Sequence, residues 1–193
     1  MSEQVLTADR ILDTAEEVIR RFGPAKATVV DVARALGVSH GSVYRHFASK
    51  AALRDAVTRR WLDRLCAPLA EVAADAGPAD GRLHRWLTTL MAAKHGRALD
   101  DPELFATYMT LVMDARQVVD EHVAHLVDQI ARIIGDGVEQ GVFRVDDVPS
   151  AARAVLDATA RFHNPAHAAD WSDPSIGRAF EAVWGLLVRG LRA

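Results

Sequence analysis

The chain has 193 residues, is 50% hydrophobic and carries a formal net charge of −3. Its length and apolar content suffice for a packed core in one domain or two small ones, and its single cysteine, Cys66, excludes an intramolecular disulfide and any cysteine-based metal cluster. No N-terminal charged-then-apolar run reads as a signal peptide and no run of about 18 apolar residues could span a bilayer, so a cytoplasmic protein without a membrane partner is expected.

The first predicted helix runs from Thr7 to Phe22 and stops at Gly23. Thr7 is its N-cap, and Leu6 and Ile11 are placed for a hydrophobic staple across that cap. Ile11, Ala15, Val18, Ile19 and Phe22 form its apolar stripe. The next segment, TVVDVARALGVSHGSVYRHFASKAAL from Thr28 to Leu53, reads as two short helices around a tight turn and the start of a third. Thr28 and Asp31 make a capping box with Asp in place of Glu. Val29, Val32, Ala33 and Leu36 share one stripe, and Gly37 stands where a C-cap needs a left-handed residue. Val38 is placed to plug the angle between two crossing helices. Ser39 opens a second short helix through His46, with Val43 and Phe47 facing inward. Ser49 caps the helix that follows. This is a helix-turn-helix, a device for laying one helix in the major groove of DNA.

A fourth helix runs from about Lys50 to the mid-70s, with Leu53, Val57, Trp61 and Leu65 at helical spacing. Pro68 should kink or interrupt it, and Gly77-Pro78 ends it. A fifth spans about Gly81 to His95 with Leu83, Trp86, Leu87, Leu90 and Met91 apolar. Asp101-Pro102-Glu103 is a cap-proline-acid start for the sixth, which carries Leu104, Phe105, Tyr108, Met109, Val112 and Met113. The seventh extends from about Val118 to Gln140, weakened near Gly135 and Gly137 and closed by Gly141. The eighth runs from about Val148 to His163. Residues 164–173 form an irregular connection, and Asp173-Pro174 opens the ninth, which ends near Leu191. No alternating run is long enough for a convincing strand. The expected fold is all-α with about nine helices.

Residues 7–60, through Tyr44-Arg45-His46-Phe47 and Lys50-Ala51-Ala52-Leu53, resemble the N-terminal domain of TetR-type (TetR/AcrR) transcriptional repressors. The resemblance implies a helix-turn-helix DNA-binding domain over residues 1–50, with its reading motif at 28–47, and a helical effector-binding and dimerisation domain over 51–193. By position in the family pattern, DNA contact falls to Thr28, Ser39, His40, Gly41, Ser42, Tyr44, Arg45, His46 and Lys50. His40 and Gly41 would approach base edges, Tyr44 a thymine methyl or phosphate, and Thr28, Ser42, His46 and Lys50 the phosphates. The ordinary alternative for each is capping or solvent exposure, and packing or capping explains Ser39 and His46 equally well. The implied partners are double-stranded DNA with a palindromic operator and a second copy of the chain, joined through the last two helices.

Charge distribution agrees with that layout. Residues 1–60 hold ten basic and seven acidic side chains, whereas the rest holds thirteen and nineteen. Arg45, Lys50, Arg54, Arg59 and Arg60 stand against Asp55 alone in 39–60, a basic head on an acidic body. Chance asymmetry on a mixed surface is the alternative.

In the body, Trp86, Met91, Phe105, Tyr108, Met109, Met113, Phe162 and Trp171 are bulky side chains that serve either as core or as walls of an effector cavity, which the resemblance implies. Such walls suit a small apolar or aromatic effector, with His84, His95 and Arg116 as possible polar anchors. His122 and His125 share a helix face and His163 and His167 lie four apart, but solvated histidines outnumber metal ligands and no metal or other cofactor is expected. No G-x-S-x-G, Walker loop, G-x-G-x-x-G or H-E-x-x-H occurs, so no enzyme is expected. A sensor without DNA affinity and a metal-assisted helical enzyme are the rival readings.

Overall fold

The computed structural model describes residues 5–192. It contains nine α-helices over those residues: α1 Ala8–Phe22, α2 Val29–Leu36, α3 His40–Tyr44, α4 Lys50–Ala74, α5 Ala79–Asp100, α6 Pro102–Asp114, α7 Arg116–Glu139, α8 Val148–Ala158 and α9 Ile176–Leu191. The only strand-like pairing among the described residues is one antiparallel bridge between Phe143 and Arg192.

The chain divides into two compact units. The first holds the chain through Leu62 together with Glu103–Asp120, and the second holds Asp63–Pro102 with the chain from Glu121 on. The boundary expected at residue 50 coincides instead with the first residue of α4, and most of α6 clusters with the N-terminal helices rather than with the body. The reason is packing: Tyr108 and Leu111 of α6 are buried in the same apolar cluster as Ile11, Val18, Val32, Val43 and Val57.

In the first unit the starts of α1 and α2 and the end of α2 have local causes. The Thr7 hydroxyl accepts from the Arg10 amide at 3.3 Å and opens α1. At α2 the Asp31 amide donates to Thr28 Oγ1 at 3.1 Å, and the Thr28 amide donates to Asp31 Oδ2 at 3.2 Å. Gly37 ends α2 at φ 69° and ψ 28°, a left-handed conformation that a side chain would strain. Trp61 of α4 stacks on Tyr108, with ring centroids 4.7 Å apart and 7° between planes. Arg54 of α4 donates to Asp114 Oδ2 at 2.7 Å.

The second unit buries Leu83, Trp86, Leu87 and Leu90 of α5, Ile130, Ile133 and Ile134 of α7, Val155 and Leu156 of α8, and Phe180 of α9. Each fully buried side chain of this size contributes about 1.5–3 kcal/mol. The Trp86 indole donates to Gln129 Oε1 at 2.9 Å, so its one polar atom is satisfied. Gly137 lets the Phe143 ring lie on α7: a Cβ there would meet Phe143 Cδ2 at 2.2 Å.

Several boundaries differ from the sequence reading. Pro68 lies inside α4 without ending it, and α5 runs on to Asp100 rather than stopping at His95. Gly135 and Gly137 do not break α7, because packing against Phe143 favours a residue without a side chain at position 137. The α8 helix stops at Ala158, where the chain tightens to a 3₁₀ turn over Ala160–Phe162 and the Thr159 hydroxyl donates to the Val155 carbonyl at 2.8 Å. The connection expected to be irregular holds a 3₁₀ segment, Pro165–Asp170, capped by Asn164. The last helix begins at Ile176, after Asp173 accepts from the Ser175 amide at 2.7 Å. Among the described residues no helix is long and apolar enough to cross a membrane.

Candidate nucleic-acid interface

The α3 helix is only five residues long, two shorter than the predicted stretch to His46. Turn-type bonds from the His46 and Phe47 amides to the Val43 carbonyl, both 3.0 Å, close it. Ser39 caps it by accepting from the Ser42 amide at 3.1 Å. Val43 is fully buried and holds the helix to the core, which leaves His40, Gly41, Tyr44, Arg45 and His46 exposed. The His40 and Tyr44 rings meet edge to face with centroids 6.3 Å apart.

The expected contact residues differ in how much of their hydrogen-bonding capacity remains. The Thr28 hydroxyl donates to Asp31 Oδ2 at 2.6 Å and accepts the Asp31 amide, so the capping box occupies it. The Ser42 hydroxyl lies 2.9 Å from Ser39 Oγ and accepts from Arg45 Nη2 at 3.1 Å. Tyr44, 43% exposed, has no such tie. Lys50 is half-buried and borders a shallow apolar recess with Ile19, Val32 and Leu53. Gly41 has an ordinary backbone conformation, and a Cβ there would come no closer than 3.7 Å, to Ser39 Oγ. The fold alone therefore does not demand glycine at position 41.

Arg54 and Arg60 belong to the basic set expected in residues 39–60, but both are engaged within the first unit. Arg60 donates to Glu16 Oε1 at 2.8 Å and also pairs with Asp13, while Arg54 pairs with Asp114. The partners lie 44 and more positions away in sequence, so no local pattern announces them. The Asp31 carboxyl is held below its usual range, first by the Thr28 hydroxyl and further by the nearby Arg34.

The bulky side chains assigned to a cavity fall in both units. Phe105, Tyr108, Met109 and Met113 belong to the first, where Tyr108 is stacked on Trp61 and Met113 is 85% exposed. Trp86, Met91, Phe162 and Trp171 belong to the second. Phe162 packs edge-on to Phe180 with centroids 5.5 Å apart, and Trp171 stacks on His95 at 4.6 Å. His95 Nε2 donates to the Phe162 carbonyl at 2.8 Å, and His84 pairs with Glu181 at 2.9 Å. Arg116 is exposed.

His122 lies 3.8 Å from Cys66 Sγ, and His125 is 2.9 Å from Gln129 Nε2. His163 is buried and donates to the Leu156 carbonyl at 3.1 Å, while His167 is exposed. Burial pushes both His122 and His163 down to about 4, so their rings are neutral at physiological pH.

One residue escaped the sequence reading. Lys94 continues the α5 stripe of Leu83, Leu87 and Leu90 at helical spacing and is buried. The visible signal was a charged residue in register with an apolar face.

Comparison with known proteins adds the following. The family model described as bacterial regulatory proteins, tetR family, matches residues 11–57, and the one described as tetracyclin repressor-like, C-terminal domain, matches residues 79–184. The uncharacterized HTH-type transcriptional regulator Rv1255c of Mycobacterium tuberculosis is 37% identical over 106 residues, covering 54% of this chain and 50% of that protein. The HTH-type transcriptional repressor KstR2 of the same organism is 26% identical over 156 residues, 77% of this chain and 76% of its own length. The chain spans about half the length of the first curated relatives it matches. Among solved structures, the transcriptional regulator FadR from Bacillus subtilis in complex with stearoyl-CoA superposes with a TM-score of 0.63 at 18% identity, covering 96% of this chain and 100% of that one.

Proposed function

Because the chain belongs to the TetR family of bacterial regulatory proteins, we propose that it is a ligand-responsive homodimeric repressor acting at a palindromic operator. The observation that carries this reading is the outward face of α3. His40, Gly41, Tyr44 and Arg45 are exposed while Val43 at the helix centre is fully buried, so the helix is anchored from behind and open in front. A helix five residues long presents few side chains, and these four are the ones that reach base edges and neighbouring phosphates.

The second copy joins through α8 and α9. Leu186 of α9 is 66% exposed, and Val183, Trp184 and Leu187 beside it are only half-buried, which supports an apolar strip covered by the partner. Two-fold symmetry then matches a palindromic site with half-sites about one helical repeat apart. A small effector held by the second unit and an operator held by the first favour different conformers, so each weakens the other reciprocally.

Fluorescence anisotropy with a labelled duplex from upstream of the chain's own gene tests this reading. The expected result is saturable binding as a dimer with a steep salt dependence. Lys50→Ala should weaken binding broadly and reduce the salt slope by about one, while substitutions of His40 should alter sequence preference. Parental binding by both variants would remove α3 and its flank from the interface.

A further inference from the structure

Two cationic side chains of the second unit are buried, and the fold treats them differently. Arg82, 3% exposed, has a counter-charge: its Nη2 donates to Asp136 Oδ2 at 2.7 Å and to the Ala73 carbonyl at 3.1 Å, while its Nε has no partner. Lys94, 6% exposed, has none: among the described residues no carboxylate pairs with its ammonium and no acceptor receives its protons. An ammonium removed from water without a counter-charge opposes folding, so such a residue persists where something other than stability selects it.

The groups around Lys94 leave its charge uncancelled. Its charge is felt at Cys66 on α4, at His122 on α7 and at His163 beyond α8, and Cys66 Sγ lies 3.8 Å from His122 Nε2. None of the three carries a negative charge there. Burial raises the Cys66 thiol and keeps it protonated, and both imidazoles are neutral near pH 7. On its own helix the neighbouring stripe residues Leu87 and Leu90 are 1% and 0% exposed. The surroundings combine one positive charge, a protonated thiol, two neutral imidazoles and buried leucines of the same helix.

We propose that Lys94 is the charge anchor for the effector, and that the effector is an amphipathic organic anion whose carboxylate or phosphate seats on this ammonium with an apolar body against α5. The proposal rests on the reading of the chain as a ligand-responsive regulator and specifies the ligand class. An acidic headgroup supplies the counter-charge that the fold withholds, and a neutral ligand of equal size does not.

The test uses the full chain, with decanoate, decyl phosphate and decanol as probes followed by titration calorimetry. The parent should bind at least one of the two anions tenfold or more tighter than decanol; the two anions separate carboxylate from phosphate recognition. Lys94→Met keeps length and apolar shape, should abolish that preference, and should raise the melting temperature because the unpaired cation is gone. Lys94→Arg should retain the preference. Equal binding of anion and alcohol by the parent, no binding of either anion, an anion preference that survives in Lys94→Met, or a lower melting temperature for that variant would each overturn the assignment. Operator anisotropy on the same samples keeps the two readings apart: parent and Lys94→Met should both bind DNA, and failure of the parent to do so sinks the regulator reading instead.

Discussion

The Arg60 guanidinium on α4 is fastened to Glu16 on α1, Nε to Oε1 at 2.8 Å, with both side chains about 15% exposed. Arg60 is thus a strut between α4 and α1. Arg60→Met should remove the guanidinium that ties the Glu16 carboxylate to α4 and cost the first unit about 1–3 kcal/mol. Urea unfolding followed by far-UV circular dichroism measures the loss. The salt slope of operator binding should stay at the parental value, in contrast to Lys50→Ala.

Position 41 allows folding to be tested apart from the proposed DNA contact. A methyl group there meets nothing closer than Ser39 Oγ at 3.7 Å, and the backbone needs no left-handed angle. Gly41→Ala should fold as stably as the parent or slightly better, since alanine favours helix over glycine by up to about 1 kcal/mol. Operator affinity should nevertheless fall tenfold or more as the added methyl holds the DNA backbone away. Parental affinity would show that DNA does not approach this position.

Acid should loosen the capping box at α2. The Asp31 carboxyl is held below its usual 3.8, chiefly by the Thr28 hydroxyl. A depressed folded-state value means that the stabilisation is present above the unfolded value and disappears as pH falls through the folded one. The loss therefore belongs to the region below about pH 4, not to the neutral range. Asp31→Asn should flatten this part of the stability curve, as read by urea unfolding followed by far-UV circular dichroism between pH 5 and pH 2.

Position 137 has no room for a side chain. A Cβ would lie 2.2 Å from Phe143 Cδ2 and 2.8 Å from Ala79 Cβ. Gly137→Ala should destabilise the second unit by about 1–3 kcal/mol through overpacking, in spite of alanine's better helix propensity. Phe143→Leu in the same chain should recover part of the loss. An additive double mutant, measured by thermal unfolding, would place the strain elsewhere.

The pattern of these residues shows which parts of the fold were legible. Caps are local chemistry, so Thr7, Thr28 with Asp31, Gly37 and Ser39 all do in the structure what their positions imply. Apolar stripes were equally readable, from Ile11 to Ile19 on α1 and from Leu83 to Leu90 on α5. Helix ends without a strong cap were not. The stop at Ala158 passes into a 3₁₀ turn without a glycine or proline to mark it, and the run of α5 to Asp100 has no punctuating residue. Least legible were contacts distant in sequence. Arg54 meets Asp114 across 60 positions and Tyr108 finds Trp61, and those contacts moved α6 out of the body to which its sequence position assigned it.

Cys66 is the chain's single thiol, and the fold keeps it 6% exposed with its proton retained. Alkylation by a water-soluble reagent can therefore proceed only when its surroundings open, which makes the labelling rate a built-in clock for breathing of that region. Any molecule that settles beside this sulfur slows the clock without a dye, a tag or a DNA probe. Cysteines introduced on the outside can meanwhile be derivatised selectively in the native state.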